Sequence, residues 1–385
     1  MSTFDEWVKA PDATVRVEDD YRKVNQFFVE RRWSDGLPIV PPTAERVEEM
    51  LSYCDRPLNE PIAKMAPRYG EATPIRLAVN AVMAGCVPEY FPLVMLAVEA
   101  MCEPEFNLYA IQATTHMVAP LVIVNGPIAR ELGMNAGGNA FGPGNPANAT
   151  IGRAVRLALI NIGGALPGTG DMATAGAPSK YSFCVAENEA ENPWQPLHVE
   201  RGFSVDATTV TVAGTEPPHN VNDHWSISPE GILRMIAGTM CTTGNNDIYF
   251  YQDDVFPQPL VLFGPEHAKT VADGGFSKDD VKRFLFEEAR VPLGAFSKEY
   301  IELRYHVMYA GASLDTRIPI FKRPEDLVVA VVGGAGKHSL VLPSFGGTRT
   351  VTRALKRRDG QLVRSIEELH QLTADAASSG TSRLQ

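Results

Sequence analysis

The chain has 385 residues, of which 44% are hydrophobic and 21% charged, a composition typical of a globular protein large enough for two lobes. Its formal net charge of -11 argues against a nucleic-acid partner, since no basic stripe is present to neutralise phosphates. No apolar run is long enough to span a membrane, and the acidic, polar N-terminus does not resemble a signal peptide. Five cysteines without a CxxC pair predict free thiols and a cytoplasmic location.

The N-terminal residues 1–59 predict a helical adaptor. One helix is expected over 19–32, and Thr43 is placed to cap a second helix. Two further helices are expected over 70–86 and 90–101, where apolar residues recur at helical spacing. Faces rich in Ala and Met between residues 79 and 101 predict a surface for homo-oligomer formation.

Short apolar strands alternate with helices in the rest of the chain. Strands are expected at 120–124, 206–214 and 326–332. A long helix is expected from Asn148, and Ser277 is placed to cap another. The tail from about residue 375 has the small, polar composition of a disordered segment.

An internal repeat relates residues 101–127 to residues 240–265. The matching residues are Met101-Cys102 with Met240-Cys241, Asn107 with Asn246, and Pro120-Leu121-Val122 with Pro259-Leu260-Val261. Related halves commonly hold ligands in the cleft between them. We therefore predict an α/β or α+β protein with two pseudo-symmetric α/β lobes, at 60–204 and 205–350. A C-terminal helix and disordered tail at 351–385 would follow.

The two repeat copies carry different polar residues just before their strands. The first copy has His116, and the second has Asp253 and Asp254 next to the matching position. An imidazole and two carboxylates in one cleft would suit general acid–base catalysis or a metal site. The alternative is structural, with the aspartates capping a turn and His116 bound to backbone.

Two glycine-rich loops are candidate anion sites. The loop 135–147 precedes a helix that carries Arg153 and Arg156, so Asn145, Asn148 and Arg153 can contact a carboxylate or phosphate. The loop GGAGKHS follows a very apolar strand and supplies Lys337 and His338 as further anion contacts or proton donors. Neither loop matches a nucleotide-binding motif, and an ordinary turn explains the first equally well.

The segment 180–201 concentrates reactive side chains. Lys180 lies near Cys184, which would be a nucleophile if its thiolate were activated, and Glu187 is a candidate acid or base. Alternatively, SFCVA is a buried strand in which Cys184 is a small apolar side chain. A separate cluster, His219, Asp223 and His224, offers two imidazoles and a carboxylate to a divalent transition metal. A packed polar turn is the alternative there.

Three runs of the sequence stand out, DGLPIVPPTAERVEEML, NAVMAGCVPEYFP and GPEHAKTVADGGFSKDDVKRFLFEEAR. Together they resemble uncharacterised bacterial proteins of the family named for a selenocysteine-Gly-Ser-Cys (UGSC) motif, and the resemblance covers much of the chain. The naming motif is absent, since the nearest cysteine context is Cys241-Thr-Thr-Gly with no second cysteine. The resemblance therefore does not extend to a dithiol redox role, and it assigns no residue.

The leading hypothesis is a cytoplasmic enzyme that acts on a small anionic molecule by acid–base chemistry in the cleft between the lobes. Hydrolysis and lyase-type elimination are both open, with His116 as the base. Two alternatives remain: a thiol-dependent redox or transfer enzyme that uses Cys184, and a non-catalytic subunit of a redox complex.

Overall fold

The structure is a computed structural model that describes residues 3–10, 13–249, 257–306 and 308–378. Its helices are α1 Thr3–Val8, α2 Tyr21–Glu30, α3 Ala44–Leu51, α4 Pro74–Ala84, α5 Phe91–Met101, α6 Leu108–Ala113, α7 Pro127–Glu131, α8 Pro146–Asn161, α9 Leu197–Glu200, α10 Pro229–Met240, α11 Asn246–Tyr249, α12 Pro265–Asp273, α13 Lys278–Glu288, α14 Lys298–Tyr300 and α15 Ile366–Ser378. Its strands are β1 Ala63–Met65, β2 Gly70–Ala72, β3 Ala119–Asn125, β4 Cys184–Ala186, β5 Thr209–Thr215, β6 His219–Asn222, β7 Leu260–Phe263, β8 Arg290–Pro292, β9 Arg317–Pro319, β10 Val328–Val331, β11 His338–Leu342 and β12 Val351–Ala354.

Two four-stranded mixed sheets form the centre of the molecule. The first sheet has the order β12-β5-β3-β4 and the second has the order β10-β7-β11-β6. In each sheet one pair is parallel, β3 with β4 and β10 with β7, and the other pairs are antiparallel. Helices and mixed sheets together confirm the predicted α/β or α+β class. Within the described residues, none of the helices has the length and apolarity needed to cross a membrane.

The two sheets pack face to face and carry helices on their outer sides. Because side chains alternate along a strand, Leu121 and Ile123 of β3 contribute to an apolar cluster that also contains Leu260 and Leu262 of β7. Val122 of β3 belongs instead to the cluster that includes α4, α5 and α8. Helices α10, α12 and α13 pack in the same way on the second sheet. The facing surfaces of the predicted lobes are therefore a packed core, and those candidate side chains that the structure describes lie outside it.

The sheets share one pattern of strand directions. In the first sheet β3 lies between its parallel neighbour β4 and its antiparallel neighbour β5, and in the second sheet β7 lies between its parallel neighbour β10 and its antiparallel neighbour β11. In both sheets the chain leaves the antiparallel neighbour and enters the edge strand of the other sheet. Thus β5 continues into β6, and β11 into β12. Where these segments pass each other, Thr215 pairs with Ser344, and the amide of Glu216 donates to the carbonyl oxygen of Pro343 at 2.8 Å. The sequence repeat itself stays a prediction.

Because the chain crosses between the sheets, the two sheets do not coincide with the predicted lobes 60–204 and 205–350. The strand β5 was expected to open a second lobe at residue 205, yet it lies between β3 and β12 in the first sheet. The strand β12, expected in a C-terminal appendage, completes that same sheet. The first sheet and the helices that cover it form a first unit, and the predicted adaptor is part of it. Val47, Met50 and Leu51 of α3 are buried in the apolar core of this unit. A strand's own sequence shows that it is buried but does not show which sheet it joins.

The helical faces predicted for homo-oligomer formation are buried inside the chain. Met83 of α4 and Met95 and Met101 of α5 belong to the core of the first unit. Helix α4 packs against α3 and α8, and α5 packs against β5 and β12. The prediction was wrong about this surface. An apolar helix has the same sequence pattern whether it is covered by a second chain or by a sheet of its own chain. The predicted C-terminal helix is α15, and residues 379–385 of the predicted disordered tail lie outside the described residues.

Candidate active site

A cavity of about 670 Å³ lies beside α8, between the end of α2 and the loop 166–181. Its volume falls within the range of about 300–1,000 Å³ that is usual for small-molecule sites. Apolar side chains, among them Val29, Ile160 and Leu166, form part of its wall. Arg156 and Lys180 also line it, so the cavity combines apolar walls with ionised groups.

Local geometry brings the ionised groups to one side of the cavity. Helix α8 presents Arg156, and the loop that follows returns to the same side. Gly168 has a φ of 78°, a conformation that glycine adopts without strain, and the amide of Asp171 donates to the carbonyl oxygen of Leu166 at 3.0 Å. The 3-10 turn Pro178–Lys180 then carries the Lys180 side chain back to Asp171.

Arg156, Asp171 and Lys180 form a buried ionised triad. Nζ of Lys180 donates to both carboxylate oxygens of Asp171 at 2.8 Å, and Nη2 of Arg156 donates to Oδ2 of the same carboxylate. Burial opposes ionisation of Asp171, but Lys180 and Arg156 outweigh it and hold its pKa below the usual value. Burial lowers the pKa of Lys180, with Asp171 acting in the opposite direction. The triad therefore holds two cations against one carboxylate.

The anion contacts predicted at the start of α8 are used within the protein. Asn145 caps the helix by accepting from the amide of Asn148 at 3.0 Å. The Asn148 side chain donates to the carbonyl oxygens of Asn135 and Ala140 at 2.8 and 3.2 Å, so it fastens the glycine-rich loop. Neither residue lines the cavity.

Arg153 also serves the fold rather than the cavity. Its Nε and Nη2 donate to the carboxylate of Asp35 at 2.7 and 2.9 Å, and Nη2 donates to the carbonyl oxygen of Pro38 at 2.8 Å. These bonds attach the N-terminal segment to α8. The adjacent turn of α8 carries Arg156, which is the arginine that reaches the cavity.

Cys184 and Glu187 occupy the buried edge of the first sheet. Cys184 lies in β4, as the structural alternative predicted, and burial raises the pKa of its thiol, the opposite of what an activated thiolate needs. Burial also raises the pKa of Glu187, whose carboxylate accepts from Asn125 Nδ2 at 2.6 Å and from the amide of Leu197 at 2.8 Å. Glu187 thus fixes the loop after β4.

Cys184 should not react with iodoacetamide in the folded protein at neutral pH, because its side chain is only 4% exposed and its thiol is held protonated. After unfolding it should react as an ordinary cysteine. Peptide mapping by mass spectrometry before and after denaturation measures this. Modification of Cys184 in the folded state, blocked by a small anion, would restore the thiol hypothesis.

His116 meets a carboxylate that the sequence did not reveal. Its Nε2 lies 2.7 Å from Oε1 of Glu216, and its ring stacks on Phe345 with centroids 5.9 Å apart. Nδ1 of His116 is buried and has no hydrogen-bond partner among the described residues. The predicted partners Asp253 and Asp254 lie outside the described residues. The contact arises because β5 ends at Thr215, beside the start of β3.

The proposed metal ligands are not assembled as predicted. Asp223 uses Oδ1 to accept from the amides of Trp225 and Ser226 at 3.2 and 3.0 Å. His219 lies on β6 opposite Val341. In the described part of the chain, no group of three or more His, Cys, Asp or Glu side chains is placed to hold a metal ion. His224 contacts His338 instead, a pairing across 114 residues that local spacing could not indicate.

No protein-family model matches this chain, and no curated protein or solved structure matches it either. The resemblance to the UGSC family therefore stays a prediction. The candidate active site is therefore identified only by the cavity and by the contacts of Arg156, Asp171 and Lys180. In the sequence, Lys180 was named only as a cation near Cys184, and Asp171 was missed. The available signal was Arg156 itself, a single charge inside the apolar run AVRLALI, which indicates a buried and paired arginine.

Proposed function

We propose that the protein is a cytoplasmic enzyme that binds a small anionic molecule in the cavity beside α8 and transfers a proton from Lys180, which Asp171 holds in place. The observation that carries this proposal is the ionised triad, in which two cations share one carboxylate. A bound anion would balance the extra positive charge. Local positive charge is notable in a chain whose formal net charge is -11, since it creates a favourable place for an anion. The free cysteines among the described residues fit a cytoplasmic location.

The walls of the cavity indicate what kind of anion fits. Val29, Ile160 and Leu166 can cover an apolar body, while the triad lies where an anionic group would be bound. The planar guanidinium of Arg156 suits the two oxygens of a carboxylate or phosphate. The proposed substrate is therefore a small carboxylic acid or phosphate ester with an apolar part.

Lys180 is the proposed acid. Burial lowers the pKa of its ammonium, so its proton is released at a lower pH than from an exposed lysine. Asp171, at 2.8 Å from Nζ, holds the ammonium in place as its ionised partner. The ammonium of Lys180 can give its proton to the leaving group in an elimination or a hydrolysis, while Arg156 keeps its positive charge beside the bound anion.

A thermal-shift panel of small carboxylates and phosphate esters tests the binding step. Each anion is paired with its neutral amide or alcohol, and we expect only anions to raise the melting temperature. A ligand at 100 times its Kd adds about 2.7 kcal/mol to the free energy of unfolding. Lys180→Met should abolish the shift. Lys298→Met is the matched control, because Lys298 is an exposed cation on α14. Equal shifts with acids and amides would contradict the proposal.

His116 and Glu216 are the second candidate for proton transfer. Their 2.7 Å contact and the unpartnered Nδ1 resemble an imidazole oriented by a carboxylate, the usual arrangement of a general base. The segment before His116 also contacts the triad. Oε1 of Gln112, which precedes His116 by four residues, accepts from Nη1 of Arg156 at 3.4 Å. If this dyad performs the chemistry, His116→Gln loses turnover but keeps the thermal shift by anions. Unchanged turnover would contradict it.

A further inference from the structure

His224 and His338 bring two ring nitrogens together at the surface of the second sheet. His224 lies in the loop after β6, and His338 is the first residue of β11. Their Nε2 atoms are 3.2 Å apart, and the rings are nearly perpendicular, at 81°. Both residues are exposed to solvent. The pair lies on the second sheet and shares no residue with the cavity beside α8, so its chemistry is independent of the proposed function.

Asn220 sets the tautomer of His338. Nδ1 of His338 is 3.0 Å from Oδ1 of Asn220, and an amide oxygen can only accept a hydrogen bond. Nδ1 therefore carries the hydrogen, and Nε2 presents its lone pair toward His224. Histidines that bind metals usually donate their second ring nitrogen to an oxygen in this way, which orients the ring and makes Nε2 a stronger donor.

The distance between the two Nε2 atoms matches a metal chelate. Imidazole nitrogens bind Zn²⁺ at about 2.0–2.1 Å. Two such ligands lie about 2.9 Å apart when they meet the ion at a right angle, and about 3.3 Å apart at the tetrahedral angle. The observed 3.2 Å falls between these values. A metal ion can therefore replace the hydrogen shared by the two rings, with that hydrogen moving to Nδ1 of His224.

We propose that His224 and His338 bind one divalent transition-metal ion, with water or a donor atom of a bound molecule in the remaining positions. Imidazole ligands favour Cu²⁺, Ni²⁺ and Zn²⁺, and Cu²⁺ forms the strongest complexes of the three. The predicted ligands His219 and Asp223 do not take part. The register places His219 opposite Val341, three residues along β11 from His338.

Trp225 provides a direct readout of this site. It follows His224 in the chain and is 90% exposed. A Cu²⁺ ion bound to His224 should quench the fluorescence of its indole, so titration of the untagged protein with Cu²⁺ measures Kd. We expect His338→Ala and His224→Ala each to weaken binding at least 10-fold. Asn220→Ala should weaken it about 10-fold, because it removes only the orienting hydrogen bond.

His219→Ala is the matched control, since it removes an exposed histidine from the same strand as Asn220. This variant should keep the wild-type Kd. Trp225→Phe should lose most of the quenching, while calorimetry still detects the bound ion. If His338→Ala binds Cu²⁺ as tightly as the wild type, the two rings form only a hydrogen-bonded pair and the proposal is wrong.

Discussion

Replacing Arg156 with methionine should weaken the binding of small anions by about 10- to 150-fold. A hydrogen bond to a charged group contributes about 1.5–3 kcal/mol, and the variant removes the guanidinium that would hold the anion. Methionine keeps the apolar stem on α8, and Lys180 still pairs with Asp171, so that carboxylate is not left alone. Calorimetric titration with the anion that gives the largest thermal shift measures the change in Kd.

Two control variants separate this effect from general changes in charge or stability. Lys298→Met removes one exposed positive charge and should leave the Kd unchanged. Arg156→Lys keeps the charge but not the planar fork, so we expect affinity between the wild type and Arg156→Met. Circular dichroism confirms that each variant is folded. An Arg156→Met protein that is folded and binds the anion as the wild type does would contradict the assigned site.

Replacing Asp247 with asparagine should remove much of the loss of stability that we expect for the wild type between pH 4 and pH 8. Asp247 is buried, and its carboxylate accepts from the amide and hydroxyl of Ser344 at 2.9 and 2.6 Å. Burial raises its pKa from 3.8 to about 8. The folded state therefore binds a proton that the unfolded state releases, and stability falls as pH rises through this range.

The size of this effect makes it measurable. One pKa unit corresponds to about 1.4 kcal/mol, so the fall in the free energy of unfolding amounts to several kcal/mol by pH 8. Asparagine stays neutral and its Oδ1 can still accept from Ser344. Urea unfolding at pH 5 and pH 8 gives the difference for each protein. Asp273→Asn, a change at an exposed position of α12, is the control and should follow the wild type. Identical pH slopes for Asp247→Asn and the wild type would show that Asp247 is ionised in the fold.

Local features of the fold were predictable because their signals are local. Thr43 accepts from the amide of Arg46 at 3.5 Å, and Ser277 forms a capping box with Asp280, as their positions before helical runs predicted. Strand β3 was equally visible, because an apolar run bounded by Pro and Gly reads as a buried strand. These interactions join residues that are only a few positions apart.

The arrangement of the site was not predictable for the opposite reason. His116 meets Glu216 across 100 residues, and Glu216 directly follows β5, a strand that was expected in the other lobe. Arg156 and Lys180 meet only because the loop between them folds back on itself. A sequence shows that a charge lies in an apolar helix, but not which carboxylate neutralises it. The chain segments that follow β5 and β11 cross from one sheet to the other, and this crossing places Glu216 beside His116.

The most direct test of the central claim is a crystal structure of the protein with a small brominated carboxylate, located by the anomalous signal of bromine. We expect the bromine peak inside the cavity beside α8, with carboxylate oxygens within about 3 Å of Arg156 and Lys180, the range of charge-assisted hydrogen bonds. Binding should leave Asp171 in contact with Lys180. A bromine peak elsewhere on the protein, with only water over the triad, would contradict the assignment of this cavity as the active site.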